Sequence, residues 1–404
     1  MTLKAIVFDY KTLFHRGPAV TAEMQVVLAW ARDCGLRICI LTTDPMNVKG
    51  LCIQHGYPEP DLHVQQADVP GRKNRGSHLW IDVVASGLGV ENHRLLYVGG
   101  TRLDWRTAIN SGVFFLHAQW LGPIPETCLV IESPRDIAFY ASQFLMQEPR
   151  FSFSYDDPGR KLSLRCVLPA GATLPADPPK GSFTLQEVFT YHRAIGVGES
   201  RASDMLTLHA ISSLYVEGML PKGALFCVYP SSKVGRLSEE LEQFVKPAAS
   251  MVHGYYKDDL LVRAVEAPDT SLARVNARRA GRPSPVSIVN QVQTVHLGAG
   301  YRGKVRDKTV IVFDDFTTTG SSLEWARNLL VSAGARQVIA LTIGKYSARY
   351  STYDPKPGVL IDPFSLSTLG LYDFAEIEHQ LAEDRANSGQ MADLFSRAIK
   401  DVPW

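Results

Sequence analysis

Two hydrophobic patterns alternate along the chain: short unbroken apolar runs, which predict buried strands, and apolar residues three or four positions apart, which predict amphipathic helices. Between residue 1 and about residue 120, strands are predicted over 3–8, 36–42, 94–98 and 113–116, and helices over 21–34, 48–55, 77–87 and 104–111. This order predicts a parallel sheet covered on both faces, with a site at the carboxyl ends of its strands.

The same order of elements returns from residue 183 onward. Helices are predicted over 203–218, 237–244 and 323–333, and strands over 224–229, 310–313 and 337–343. The chain is therefore predicted to be an α/β protein with two domains, residues 1–148 and 183–404, each built on a Rossmann-like, doubly wound parallel sheet. The tail of the second domain is predicted to be helical over 374–384 and 390–399.

Residues 149–182, between the two predicted domains, are rich in proline, glycine and aspartate. Alternation of apolar and polar residues over 161–168 predicts a strand or hairpin around 151–168, and the proline-rich segment 169–181 is predicted to be a linker. The pattern leaves open which domain contains the hairpin.

Composition narrows the class of protein. A chain of 404 residues is too long for one ordinary domain, and 45% hydrophobic with 21% charged residues is usual for a globular protein. The net charge of +1 gives no general attraction to nucleic acid or membranes. Six scattered cysteines without a Cys-x-x-Cys pair indicate neither a disulfide framework nor a zinc site. With no signal segment at its start and no apolar run of membrane-spanning length, we expect a cytoplasmic protein.

The most informative stretch is 309–323, in which two acids and a polar loop separate a predicted strand from a predicted helix. Asp314 and Asp315 follow the apolar run 310–313. The loop then supplies hydroxyls and one glycine: Thr317, Thr318, Thr319, Gly320, Ser321 and Ser322. Unpaired N–H groups at a helix start bind anions, and carboxylates suit sugar hydroxyls. A site for a ribose 5-phosphate is predicted here.

Residues 310–322 resemble the PRPP-binding motif of type I phosphoribosyltransferases: four hydrophobic residues, two acids, two further residues and Thr-Thr-Gly. The resemblance implies that Asp314 and Asp315 bind the ribose hydroxyls, that 317–322 surrounds the 5′-phosphate, and that PRPP is used with Mg²⁺. The competing interpretation is a generic turn between a strand and a helix, with acids there by chance.

A second loop, 230–236, follows the predicted strand 224–229. In type I phosphoribosyltransferases an equivalent loop holds the pyrophosphate, which implies Ser231, Ser232 and Lys233 as its ligands here. The alternative is a helix N-cap at Ser231 or Ser232. Basic residues upstream of the motif, as in ComF-type members, are predicted to form either a lid over the pyrophosphate or a solvated loop: Arg263, Arg274, Arg278, Arg279, Arg282, Arg302, Lys304, Arg306 and Lys308.

The first domain resembles the haloacid dehalogenase (HAD) hydrolases at its predicted strand ends. The matching positions, in the family's order, are Asp9 for the nucleophile, Thr42 or Thr43 for the phosphate-binding hydroxyl, Arg72 or Lys73 for the basic residue, and Asp104 for the acidic loop.

Two positions depart from that family. Lys11 stands where a second aspartate is usual, and Gly100 replaces the first acid of the acidic loop. Mg²⁺ is held through carboxylates, so only Asp9 and Asp104 remain as candidate ligands, and a Lys11 ammonium cannot coordinate a metal. These departures favour a degenerate domain used for binding or assembly over a Mg²⁺-dependent phosphatase. Short connections between the motifs also leave no room for a large cap.

Two hypotheses follow for function. In the first, the chain is a phosphoribosyltransferase that uses Mg²⁺-PRPP and an unidentified acceptor, fused to a HAD-like domain. Thr318 stands where purine-salvage members carry an aspartate base, which disfavours hypoxanthine and guanine. Similar domain pairings in bacterial stress and anti-phage operons imply a conditional effector.

In the second hypothesis the chain is a non-catalytic sensor or assembly subunit that binds PRPP or a nucleotide. Protein partners or a homo-oligomer stay open under both hypotheses. The arginines are not interleaved with stacking aromatic residues, so a nucleic-acid partner is not predicted.

Overall fold

The computed structural model describes residues 3–14, 17–125, 128–148, 151–178, 181–190, 195–197, 200–237, 241–242, 245–246, 248–249, 252, 254–267 and 288–399. The chain divides into two compact units. The first contains Met1–Pro149, Ile211–Lys222 and Pro247–Gly254, and the second contains Arg150–Ala210, Gly223–Lys246 and Tyr255–Trp404.

The first unit is built on a six-stranded parallel sheet. Its strands are β1 (Ala5–Asp9), β2 (Arg37–Thr42), β3 (Leu62–Gln65), β4 (Leu95–Gly99), β5 (Phe114–Ala118) and β6 (Leu129–Ile131). Its helices are α1 (Tyr10–Leu13), α2 (Pro18–Asp33), α3 (Val48–His55), α4 (Leu79–Leu88), α5 (Arg102–Asn110) and α6 (Pro134–Tyr140). The four predicted strands and four predicted helices of this region are confirmed to within a few residues.

The strand order in this sheet is β3-β2-β1-β4-β5-β6, and all neighbouring pairs are parallel. It is the order of a doubly wound sheet, in which the chain leaves β1 first toward one edge and later, at β4, toward the other. Ligands of such sheets bind where the order reverses, outside the carboxyl ends of the strands. In this unit that place lies between β1 and β4.

The second unit contains all the remaining elements apart from the end of one helix. Its strands are β7 (Phe153–Asp157), β8 (Leu162–Pro169), β9 (Thr173–Pro175), β10 (Ser182–Thr184), β11 (Gly196–Val197), β12 (Ser200–Arg201), β13 (Leu225–Val228), β14 (Tyr255–Tyr256), β15 (Leu261–Arg263), β16 (Val295–Leu297), β17 (Thr309–Thr317), β18 (Gln337–Lys345), β19 (Arg349–Pro355) and β20 (Phe374–Gln380). Its helices are α7 (Leu185–Thr190), α8 (Ala202–Val216), α9 (Ile288–Val292), α10 (Ser321–Ser332) and α11 (Arg385–Ile399).

The main sheet of the second unit has the order β14-β13-β17-β18-β8-β7. Five strands are parallel, and β7 is an antiparallel edge strand paired with β8. The order reverses between β13 and β17, which are direct neighbours with Val228 opposite Phe313. Apolar side chains of this sheet and of α10 form one buried cluster, including Val310, Val312 and Trp325.

The hairpin predicted around 151–168 is present as β7 and β8, and it belongs to this unit's main sheet, because β8 pairs with β18. The sequence pattern had left its domain open. Two predictions for the second unit need correction. The predicted linker 169–181 contains strand β9, whose Leu174 is buried opposite Phe183. Residues 374–380, predicted to be helical, form β20, because pairing with β19 along its whole length outweighs local helix preference. Most of the helix predicted over 237–244 lies outside the described residues.

Candidate functional site

The carboxyl edge of the first unit's sheet brings two predicted acids together at the point where the strand order reverses. Asp9 is the last residue of β1, and Asp104 lies in the first turn of α5, which follows β4. Asp9 is also the N-cap of α1, and its Oδ2 accepts a 2.9 Å hydrogen bond from the Lys11 backbone N–H. Both acids are therefore held by the backbone that follows a central strand.

A guanidinium lies between these two carboxylates. Nη2 of Arg75 is 3.2 Å from Oδ1 of Asp9 and also donates to Oδ1 of Asp104 and to the hydroxyl of Tyr97. The Tyr97 hydroxyl in turn donates to Asp104 Oδ1 over 3.0 Å. The Arg75 guanidinium also lies over the ring of Trp80, 5.0 Å from its centroid, and these contacts enclose a buried charge network.

The second oxygen of Asp104 is fully engaged by its own loop. Oδ2 accepts hydrogen bonds from the N–H of Gly100 at 3.2 Å, the N–H of Thr101 at 3.0 Å and the Thr101 hydroxyl at 2.7 Å. Thr101 caps α5 in a capping box with Asp104. The local sequence therefore fixes the orientation of this carboxylate.

Charge repulsion and burial set the protonation of this site. Burial and the nearby Asp104 charge raise the pKa of Asp9 to about 6, against a smaller lowering by Arg75. The pKa of Arg75 is raised further above its already high value by Tyr97 and the two carboxylates, so the guanidinium is charged at every accessible pH.

The predicted HAD residues divide into those at the site and those away from it. Thr42 is buried at the end of β2 and hydrogen-bonds His63 Nε2 over 2.8 Å. Thr43 and the Lys11 side chain are exposed. Arg72 and Lys73 are exposed as well, and the basic side chain in contact with Asp9 is Arg75, which the sequence reasoning missed by two positions.

Asp9 and Asp104 do not fit a resident Mg²⁺ ion. A third ligand at Gly100, where HAD hydrolases have an acid, is sterically excluded, because a Cβ there would lie 2.5 Å from the Cβ of Leu121. The space between the two carboxylates is taken by Arg75. Within the part of the chain that the structure describes, no group of three or more His, Cys, Asp or Glu side chains is placed to hold a metal.

In the second unit the two predicted phosphate-binding loops follow neighbouring strands of the main sheet. The loop 230–236 follows β13, and 317–322 lies at the end of β17, the neighbouring strand. The N–H of Tyr229 donates to the carbonyl of Phe313 over 2.8 Å, so β13 and β17 stay paired up to the start of the loop 230–236 and to the residue before Asp314. This is the reversal point of the sheet, the usual ligand site of the fold.

Strand β17 runs further than predicted, through both acids to Thr317. Phe316 and Thr317 pair with Gly344 and Lys345 of β18. The Gly344 position has no room for a Cβ, which would lie 2.3 Å from the Phe316 ring. The extended pairing explains why Asp314 and Asp315 are held on a strand rather than on a loop.

Three successive carbonyls of the segment 317–320 accept hydrogen bonds from donors in the segment 345–351. Tyr346 N–H donates to Thr317 O over 2.9 Å, Lys345 Nζ to Thr318 O over 2.6 Å, and Ser351 N–H to Thr319 O over 2.8 Å. The first turn of α10 begins directly after Gly320, and the N–H groups of a first helical turn have no acceptor within the helix. This arrangement favours an anion.

Gly320 is the N-cap of α10 and has a φ of +89°. A Cβ at this position would lie 2.1 Å from Cε2 of Tyr350, a fully buried ring. Tyr350 is held by its hydroxyl, which donates to Oε1 of buried Glu324 over 2.7 Å. Glu324 in turn contacts Arg160 and Arg327, so the loop lies on a rigid base of buried ion pairs.

The two acids of β17, Asp314 and Asp315, interact directly through their charges and through hydrogen bonds. Burial, followed by the charge of Asp315 and a hydrogen bond with it, raises the pKa of Asp314 well above its usual range, while Arg263 acts in the opposite direction. Asp314 Oδ1 accepts the Asp315 N–H at 3.0 Å, and Asp315 Oδ1 accepts the Phe316 N–H at 2.6 Å. A carboxyl group accepts hydrogen bonds when ionised and can also donate one when protonated. Such a pair therefore suits ligand hydroxyl groups, which both donate and accept hydrogen bonds.

Arg263 supports the loop 230–236 from beneath. It is 4% exposed. Its guanidinium donates to the carbonyls of Pro230 and Ser231, to Thr294 Oγ1 at 2.6 Å and to Gln291 Oε1 at 3.0 Å. Arg263 was predicted to belong either to a lid or to a solvated loop, and both alternatives are wrong for this residue, because its side chain is buried beneath the loop 230–236.

The remaining residues of the predicted lid and loop are surface groups or lie outside the described part. Ser231 and Ser232 are half-buried and Lys233 is exposed. Arg302 lies over the Phe364 ring at 4.4 Å, and Lys304, Arg306 and Lys308 are exposed. Arg274, Arg278, Arg279 and Arg282 lie outside the described residues.

A cavity of about 420 Å³ opens beside the loop 230–236. Its lining includes the basic residues Arg236 and Arg263 and the acids Glu242, Asp258 and Asp259. Cavities of this size bind small molecules.

Lys345 is a second residue that the sequence reasoning missed. It is 1% exposed, and its ammonium donates to the carbonyls of Thr318 and Arg349, at 2.6 and 2.7 Å. Burial lowers its pKa to about 8. A lysine at the end of an apolar strand, four residues before another basic residue, was the only sequence signal for it.

No family model matches the chain. No curated protein matches it. Solved structures similar to part of it include a HAD-superfamily hydrolase of subfamily IA from Geobacter sulfurreducens, at 13% identity over 34% of this chain and 96% of that chain, with a TM-score of 0.27. Another is the cobalt-bound deoxy-D-mannose-octulosonate 8-phosphate phosphatase from Haemophilus influenzae, at 11% identity over 34% of this chain and 85% of that chain, with a TM-score of 0.25.

Among the described residues, no helix combines the length and apolar character needed to cross a bilayer. All six cysteines have free thiols.

Proposed function

We propose that the second unit binds Mg²⁺-PRPP and transfers its 5-phosphoribosyl group to a small acceptor. The observation that carries this proposal is that the loops 230–236 and 317–322 follow two neighbouring strands at the reversal point of one sheet, with Asp314 and Asp315 on the second of these strands. PRPP has three groups to be bound. We assign the 5′-phosphate to 317–322, the ribose diol to Asp314 and Asp315, and the pyrophosphate to 230–236.

The reaction breaks the bond between C1 of the ribose and the pyrophosphate oxygen, whose electrons leave with pyrophosphate, and forms a bond from the acceptor's lone pair to C1. The proton that the acceptor loses passes to the released pyrophosphate or to water. Asp314 and Asp315 hold the ribose hydroxyls. Residues 317–322 hold the 5′-phosphate through backbone N–H groups and hydroxyls, on the base formed by Tyr350 and Lys345. Ser231, Ser232 and Lys233 bind the leaving pyrophosphate, with Mg²⁺ arriving as part of the substrate. A rigid grip on both ends of the substrate stabilises the charge that develops between them.

The cavity beside the loop 230–236 is the space we assign to the acceptor. Its acids Glu242, Asp258 and Asp259 suit an acceptor with N–H or ammonium groups. The first unit is proposed to be a HAD-like domain that lacks phosphatase activity, since its two acids do not fit Mg²⁺.

The test is pyrophosphate release from PRPP and Mg²⁺ with a panel of nucleobases, amines and nucleosides. Wild type is expected to release pyrophosphate with at least one acceptor, and the double variant Asp314→Asn, Asp315→Asn is expected to lose at least 100-fold of this activity, since about 2.7 kcal/mol of transition-state stabilisation corresponds to that factor. Asp307→Asn is the matched control, because Asp307 is an exposed acid of the same unit with a φ of +60° that asparagine tolerates.

Undiminished release by the double variant would contradict the proposal. Tight PRPP binding by wild type, without turnover for any acceptor, would instead identify a PRPP-binding sensor, in which the same site serves recognition alone.

A further inference from the structure

The acid pair of the first unit encloses a cation that belongs to the chain itself. We propose that the guanidinium of Arg75 takes the place of a divalent cation between Asp9 and Asp104, and that removal of this guanidinium turns the pair into a Mg²⁺ or Mn²⁺ site. The inference concerns the first unit alone, so its failure and that of the proposed phosphoribosyl transfer are separate.

One nitrogen of Arg75 makes the contacts that a metal ion would make. Nη2 contacts three oxygens from three different elements: Oδ1 of Asp9 at the end of β1, Oδ1 of Asp104 in α5, and the hydroxyl of Tyr97 in β4. Oxygens that converge on one positive centre are the surroundings that Mg²⁺ and Mn²⁺ prefer. In this chain the positive centre is the guanidinium of Arg75, which is part of the protein itself.

Because the three side chains are buried, a metal ion cannot bind between the acids beside Arg75. The exposed fractions of the side chains are 5% for Arg75, 13% for Asp9 and 2% for Asp104. Trp80 covers the guanidinium on one face. A metal entering between the acids must displace Nη2 and leave a buried guanidinium without its counter-charges, which is strongly unfavourable.

The Oδ2 atoms of Asp9 and Asp104 are not available as further metal ligands. Asp9 Oδ2 accepts the Lys11 N–H, and Asp104 Oδ2 accepts three donors from Gly100 and Thr101. Only the two Oδ1 atoms point to the common centre, and both contact Arg75. Removing the guanidinium frees these two oxygens together with the space for water that a hydrated divalent ion needs.

The first experiment counts Mn²⁺ ions bound to the full-length chain in the absence of PRPP, by electron paramagnetic resonance of free Mn²⁺. Wild type and Asp104→Asn are expected to bind the same number, because the acid pair holds no metal in either. A wild-type chain that binds one Mn²⁺ more than Asp104→Asn would overturn the proposal, and this comparison needs no variant of Arg75.

The second experiment uses Arg75→Ala, which is expected to bind one additional Mn²⁺ per chain. Its thermal unfolding midpoint is expected to rise with Mn²⁺ or Mg²⁺, whereas that of wild type stays unchanged. Adding Asp104→Asn to Arg75→Ala should abolish both effects. Arg106→Ala, which removes an exposed arginine of α5, is the matched control and should behave as wild type.

Arg75→Lys distinguishes charge from mere space. It retains a cation at the site and is expected to stay folded without gaining a Mn²⁺ ion. Folded Arg75→Ala that gains no Mn²⁺, or Arg75→Lys that gains one as readily as Arg75→Ala, would contradict the proposal. If Arg75→Ala is soluble only in the presence of Mn²⁺, that dependence supports it.

Discussion

The two units each place a pair of acids at the reversal point of a parallel sheet, and the pairs differ in what faces them. In the first unit, Asp9 and Asp104 come from different elements and share direct contacts with Arg75. In the second, Asp314 and Asp315 are neighbours on β17, and the cation that lowers the pKa of Asp314 is Arg263. Arg263 directs its hydrogen bonds to the loop 230–236 and to two side chains beneath it.

Both pairs carry an acid whose pKa is raised, by burial first and by the other acid second. The difference is where compensation comes from. In the first pair the protein supplies the counter-charge and the site is complete without a ligand. In the second, the cation supports the loop, and we propose that the substrate's hydroxyls complete the site. A pair of acids at the reversal point of a sheet can therefore belong to a closed structural network or to a binding site.

Removal of Arg75 is expected to have the largest effect, because it takes away the counter-charge that distinguishes the first acid pair from the second. Arg75→Ala leaves two buried carboxylates without their partner and is expected to lower the free energy of unfolding of the first unit by about 3–5 kcal/mol in metal-free buffer. Urea unfolding measures this change. Lys73→Ala, an exposed position two residues earlier, should change it by about 0.5 kcal/mol or less. A loss below about 1 kcal/mol in Arg75→Ala would show that the acids do not depend on this guanidinium.

The pH dependence of stability tests the charge state of the first pair. The pKa of Asp9 is about 6 in the folded chain against an ordinary value of 3.8, so the folded state binds the proton more tightly. The stabilisation is fully present below pH 3.8 and is lost as pH rises through about 6. Relative to Asp9→Asn, wild type should lose about 3 kcal/mol between about pH 4 and pH 7, at about 1.4 kcal/mol per pKa unit. Parallel pH profiles for the two proteins would contradict the raised pKa.

Gly320→Ala tests the rigidity of the second site. Its φ of +89° opposes a side chain, and so does the Tyr350 ring, which would lie 2.1 Å from an added Cβ. We expect a loss of about 2–3 kcal/mol in unfolding free energy, with weaker phosphate binding. Gly358→Ala has the same kind of φ, +87°, with nothing within 4 Å, and should cost about 1 kcal/mol. Equal losses in the two variants would show that Tyr350 does not define the loop.

The smallest expected effect concerns Lys345 beneath the phosphate loop. Its pKa of about 8 means that the ammonium is lost as pH rises through 8, and with it a positive charge behind Thr318. The affinity of the chain for inorganic phosphate, measured by calorimetry, should fall about three- to ten-fold from about pH 7 to pH 9, roughly 1 kcal/mol. Lys345→Met should bind more weakly with a flatter profile, and a flat wild-type profile would remove Lys345 from the site.

The sequence predicted the longer central strands of both sheets, because their buried apolar runs are clear, but it did not predict the short edge strands β3, β6 and β14. It failed where long-range pairing decides structure. Residues 374–380 form β20 although their composition suits a helix, since β19 offers a full row of partners. The segment 169–181 contains a strand for the same reason.

For the sites, the acids were predictable and their partners were not. Asp9, Asp314 and Asp315 directly follow apolar runs, and Asp104 follows one after a short loop, which is visible in one dimension. Arg75 was missed in favour of Arg72 and Lys73 because the backbone around them turns through positive φ at Gly71, Arg72 and Gly76, and this path decides which side chain faces inward. Lys345 and Arg263 support loops that lie far away in the sequence.

By itself, then, the sequence determined the strand–helix order, the positions of the acids and the polar loop 317–322, since each depends on neighbours within a few residues. Only the tertiary structure decided that β13 and β17 are adjacent, so that the loops 230–236 and 317–322 follow neighbouring strands, and that Arg75 fills the space between Asp9 and Asp104. The reason is physical. A buried charge is governed by whatever the fold brings within about 4 Å of it, and at that distance sequence separation has no influence.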